Sequence, residues 1–117
     1  MNDNSNYREY ARLSSLILIK VILDDQNTVE ALTEDIGFGG VKLRLPINLA
    51  SNQEVRLMIT HREKSFTVRG KCIWSNRIEQ QTSDYYAGFT FLDDDVVTYE
   101  NLRDILNDLA DNDKMQL

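Results

Sequence analysis

The chain has 117 residues, the length of one domain and enough to bury a core of its own. Apolar residues at 42% and charged residues at 27% fit a soluble folded protein and exclude a disordered one. With 13 Lys and Arg against 19 Asp and Glu, the net charge of −6 excludes bulk attraction to nucleic acid or anionic membrane, so an anionic ligand requires a locally basic site.

Residues 1–6, MNDNSN, are polar and aperiodic and read as a flexible tail. Order is expected over residues 7–112, with strands across about 14–92, a helix over about 96–110 and a second tail at 113–117. No charged n-region followed by an apolar stretch opens the chain, and the single Cys72 forms no internal disulfide, so a reducing cytoplasm is the expected compartment. The longest apolar run, LILIKVIL from Leu16 to Leu23, is far short of the about 20 residues of a membrane span and carries Lys20 at its middle. It reads as a buried strand, apolar on both faces, within a first strand over Ser14 to Leu23.

DDQN then turns the chain into a second strand over Val29 to Glu34. A third strand follows, where Val41, Leu43 and Leu45 alternate with Lys42 and Arg44 up to Pro46. Val55, Leu57 and Ile59 mark a fourth, and THREKS reads as a hairpin turn. The fifth strand has an expected inward set of Phe66, Val68, Gly70, Cys72 and Trp74. After SNRIEQQTSD, a sixth strand alternates Tyr85, Ala87, Phe89 and Phe91 with Tyr86, Gly88, Thr90 and Leu92. Six short strands with tight turns predict a small six-stranded antiparallel β-barrel, since closure removes exposed edges. DDD then offers an N-cap, and Tyr99, Leu102, Ile105, Leu106 and Leu109 recur at helical spacing, which predicts one C-terminal α-helix.

Between the second and third strands lies TEDIGFGGVKL, with three glycines and a carboxylate in a short turn. A phosphate-binding P-loop or dinucleotide-binding turn opens a helix, whereas here a strand follows and no Gly-Lys-Ser/Thr ending is present. The plainer expectation is a bulged hairpin whose glycines take positive φ. His61, the only histidine, sits in the THREKS turn, and no serine or cysteine has a base partner in sequence, so no enzyme is expected. One His and one Cys do not make a metal site, and no cofactor is implied. YREYAR, ahead of the first strand, spaces Arg8 and Arg12 four apart.

Arg8 and Arg12 as RxxxR, followed by a turn close to [D/N]xSxxG at Asp35 to Gly40, a small barrel and a closing helix, resemble the PilZ domains, bacterial receptors for cyclic di-GMP. VRGKCIWSN and YYAGFTFLD are similar to the last two long strands of that family. The resemblance implies that Arg8 and Arg12 grip the ligand's phosphates and guanines, for which guanidinium is suited. It implies that Asp35 hydrogen-bonds a guanine edge and that Gly40 lets backbone approach the ligand. Gly37 stands where the family has a serine, and the lost hydroxyl is the one departure from the motif; successive amides of the turn would compensate as an anion nest.

The expected function is therefore a cytoplasmic bacterial cyclic di-GMP receptor or adaptor, changing conformation on binding and signalling to an unidentified protein partner in motility, biofilm or pilus control. The alternative is a PilZ-like interaction subunit that has lost nucleotide binding, which Gly37 keeps in play. A single-stranded nucleic-acid barrel is disfavoured by the acidic balance, so no DNA or RNA partner and no membrane insertion are expected. A homodimer is compatible with the sequence and not specified by it.

Overall fold

The computed structural model describes residues 17–79 and 82–116, with the backbone alone for 112–116. Six strands and one helix follow in order: β1 Leu18–Ile22, β2 Thr28–Ile36, β3 Gly40–Leu45, β4 Glu54–His61, β5 Lys64–Arg77, β6 Tyr85–Phe91 and α1 Val96–Gln116. The strands close into an antiparallel barrel in the order β1-β2-β3-β6-β5-β4, with β1 sealing against β4.

Alternation dictates what fills the barrel. Ile19 and Val21 of β1, Leu43 and Leu45 of β3, Leu57 and Ile59 of β4 and Val68 and Cys72 of β5 are all fully buried in one cluster. Gly70 keeps that layer tight, because a Cβ there would run into the Leu57 side chain. The hairpin turns are built from local chemistry. Asp24 Oδ1 accepts the backbone N–H groups of Gln26 and Asn27 at 2.9 and 3.0 Å, closing the β1–β2 turn. Arg62 takes φ 59° in the turn from β4 to β5.

Asp95 caps α1, accepting the Thr98 hydroxyl at 2.8 Å and the Thr98 N–H at 3.3 Å. Leu102, Ile105 and Leu109 carry the helix onto the barrel core, and Asp108 accepts from His61 Nε2 at 2.8 Å and from Arg62 at 3.3 Å. His61 thus ties the β4–β5 turn to the helix.

The structure differs from the expected elements in places. The run from Leu16 to Leu23 is not buried on both faces: Ile19 and Val21 point inward, while Leu18 stands exposed on the outer wall. The described part of the first strand is Leu18–Ile22, and the expected start at Ser14 falls on residues 14–16, which lie outside the described residues. The helix runs to Gln116, through most of the segment read as a tail at 113–117. Asp111 to Lys114 carry no apolar periodicity to signal a helix, yet they contain no Gly or Pro to end one.

Candidate functional site

Two β-bulges build the site. In β2 the register with β3 shifts between Thr33 and Asp35, so Glu34 is an extra residue. Ala31 faces the core, and an unbroken strand would turn Asp35 inward with it. The bulge instead buries Ile36 and sets Asp35 on the outer surface opposite Lys42. In β5 the register with β6 shifts between Cys72 and Trp74. Trp74 was expected inside; it is 38% exposed, because the extra residue Ile73 reverses the alternation after Cys72. The buried Cys72 thiol donates to the Trp74 carbonyl at 3.4 Å, and burial raises its pKa, so it is a packing residue rather than a nucleophile.

The bulges bring four residues into one row across four strands: Asp35 opposite Lys42, Lys42 opposite Gly88, and Gly88 opposite Trp74. Gly88 is required there. A Cβ on it would collide with the Trp74 indole, which lies over the glycine backbone and presents a flat face. Lys42 Nζ lies 4.4 Å from the Tyr86 ring centroid and 6.0 Å from that of Trp74. Among the described residues no carboxylate pairs with Lys42. An open depression of about 520 Å³ covers this row, with Gly37, Gly39 and Gly40 on its rim.

The glycine turn is tied to β6. Gly37 N–H donates to the Gly40 carbonyl at 2.9 Å, and the Gly39 carbonyl accepts from Phe91 N–H at 2.9 Å and from the Thr90 hydroxyl at 3.3 Å. The expected positive φ is not found at any described glycine. Gly40 is needed for another reason: a Cβ would strike the Phe89 carbonyl of the adjacent strand. Without a left-handed residue in the turn, and with the Gly37 N–H already engaged, the amide nest expected to replace the missing serine is not formed. At the tip, Phe38 stacks on Tyr99 of α1 with centroids 5.0 Å apart and planes at 19°.

A family model, the PilZ domain, matches residues 6–108. The chain belongs to the PilZ family. Among solved structures, the PilZ domain with c-di-GMP of YcgR from Escherichia coli aligns with a TM-score of 0.72 and 16% identity, covering 89% of this chain and 88% of that one. At that identity the likeness establishes the fold. No curated protein matches the chain.

Asp35, Gly37 and Gly40 line one depression, while Arg8 and Arg12 lie outside the described residues. The PilZ barrel also contributes Lys42, Trp74 and Gly88, which sequence reasoning missed as site residues. Their signal was faint: Ile73 and Trp74 are consecutive large apolar residues that break the period of β5, and Gly88 lies where an indole needs space. Among the described residues there is no cluster of metal-ligating side chains and no helix long and apolar enough to cross a membrane.

Proposed function

We propose that this PilZ domain is a cyclic di-GMP receptor, acting in the bacterial cytoplasm as a switch rather than a catalyst. The observation that carries the reading is the row Asp35, Lys42, Gly88, Trp74 beneath the glycine turn. A cyclic dinucleotide needs acceptors for guanine N–H groups, cationic charge for phosphates and a flat face for a base. Asp35 supplies the first, Lys42 the second and the indole the third.

An extended chain would let the arginine pair reach the row. The Ile17 carbonyl accepts the Thr33 hydroxyl at 2.9 Å, which fixes the entry of the chain beside the β2 bulge. Arg12 is five residues upstream, an extended reach of roughly 17 Å. Arg8 and Arg12 over the depression would offset the net charge of −6 and close on the ligand. Ordering of that segment, together with the Phe38–Tyr99 stack, would carry occupancy to α1 and so to a protein partner. One observation favours the rival reading of a PilZ subunit without nucleotide: Gly37 lacks the family's hydroxyl and the turn does not replace it.

Calorimetric titration with cyclic di-GMP, with GTP and linear pGpG as controls, tests the proposal. The expected result is selective binding at micromolar affinity or tighter, abolished in Arg12→Ala and weakened about tenfold or more in Trp74→Ala, since base stacking contributes about 1–3 kcal/mol. No heat at millimolar ligand, or equal affinity for the controls, would overturn the receptor reading in favour of the interaction subunit.

A further inference from the structure

The outer wall opposite the core of β1, β2 and β4 carries a second surface, separate from the Asp35–Trp74 row. Three rows cross it. Thr60, Leu18 and Leu32 form the first, Met58, Lys20 and Glu30 the second, and Arg56, Ile22 and Thr28 the third. Leu18 is 53% exposed and Leu32 47%, and they stand side by side. A shallow pocket of about 180 Å³ opens between Leu18, Lys20, Glu30, Met58 and Thr60. Lys20 and Glu30 are directly cross-strand, the arrangement in which opposite charges ordinarily join, yet no ion pair of 4.0 Å or less links them.

We infer that this face pairs with the same face of a second copy of the chain, in a two-fold dimer whose axis runs along the strands between β1 and β2. Such an axis exchanges the two strands, because a two-fold interface brings residue i of one copy against residue j of the other and j against i. Leu18 then meets Leu32 of the partner subunit and Leu32 meets the partner's Leu18, which covers the exposed leucines with each other. In the next row Lys20 meets Glu30 of the partner subunit and Glu30 the partner's Lys20, giving two intermolecular ion pairs by symmetry. The charges that do not pair within one barrel are placed to pair between two, and their reciprocal arrangement fits a second copy better than a foreign partner. Three short rows on a convex wall make a small interface, so the dimer forms with rising concentration rather than as an obligate unit. It leaves the glycine turn and α1 uncovered, and it does not depend on nucleotide.

Sedimentation equilibrium of the full chain over a range of concentrations tests the inference. The wild-type mass should rise from 13.6 kDa toward twice that value. Lys20→Glu and Glu30→Lys should each weaken self-association at least tenfold by setting like charges against each other. An equimolar mixture of the two single variants should form a mixed dimer, and the double variant K20E/E30K should recover self-association. Restored pairing on mixing separates a charge-matched interface from simple misfolding. A wild-type chain that stays at 13.6 kDa at millimolar concentration, or a dimer indifferent to both reversals, would overturn the inference.

Discussion

Gly37 is where this chain departs from the motif it otherwise keeps, and its surroundings decide what a serine would do there. Its N–H is bonded to the Gly40 carbonyl, and its φ lies outside the left-handed region, so an L side chain is tolerated by the backbone. Because no amide nest compensates for the missing hydroxyl, Gly37→Ser is expected to tighten cyclic di-GMP binding by roughly ten- to a hundredfold, the equivalent of one hydrogen bond of about 1.5–3 kcal/mol to a charged group. Calorimetry on the variant reads this directly; unchanged affinity would mean that another group holds the phosphate. Gly40 and Gly88 allow no such change, since a side chain at Gly40 meets the Phe89 carbonyl and one at Gly88 displaces Trp74. Gly40 and Gly88 therefore have different reasons for being glycine, and neither reason is positive φ. Motif reading placed Asp35, Gly37 and Gly40 together because they are near in sequence. Gly88 and Trp74 join them only through strand register, which a sequence shows indirectly.

The stack between Phe38 and Tyr99 joins the glycine turn to α1. Helix α1 is held by the Asp95 cap, by the buried face of Leu102, Ile105 and Leu109, and by the Asp108 contacts with His61 and Arg62. The first turn of the helix touches the glycine turn through Tyr99. A ligand that moves Phe38 thus acts on the start of the helix while its middle stays seated. In wild type, nucleotide should change amide hydrogen exchange over the first turns of α1. Tyr99→Ala should abolish that change and alter the nucleotide dissociation constant by less than about threefold, because Tyr99 does not line the depression. Loss of binding in this variant would place Tyr99 in the site itself. The strand and helix order was legible because inward residues keep a period of 2 in the strands and 3.6 in the helix. The two bulges were not, since Glu34 and Ile73 each insert one residue without a proline or glycine to mark the place. The alternation argument therefore put Trp74 in the core, although the residues on either side of each bulge follow it.

At the scale of the whole molecule, acid stability follows from three carboxylates held below the ordinary aspartate value. Asp24 is lowered chiefly by the Asn27 side chain, Asp93 by the Arg69 N–H and guanidinium, and Asp95 by the Thr98 hydroxyl and N–H. Each closes a different junction: the β1–β2 turn, the exit from β6, and the start of α1. A folded-state pKa below the unfolded one means that the folded state binds fewer protons, so the stabilisation is complete above the unfolded value of about 3.9 and is lost as pH falls through the folded value. A second effect opposes this at milder acidity. The net charge of −6 at pH 7 falls to zero near the pI of 4.7, which relieves self-repulsion before the three carboxylates begin to protonate. The melting temperature should therefore hold or rise slightly from pH 7 to about 5 and then drop below about pH 4. Asp93 is the informative position, since it accepts both the Arg69 N–H and Nε at 2.8 Å. Asp93→Asn should melt lower at pH 7 and show a shallower loss below about pH 4, so that the two curves converge in acid. Thermal melts at fixed low ionic strength, taken at dilute protein to limit association near the pI, distinguish the outcomes. Parallel curves for the two proteins would mean that the Asp93 contacts do not govern the acid limb, and that protonation elsewhere opens the barrel first.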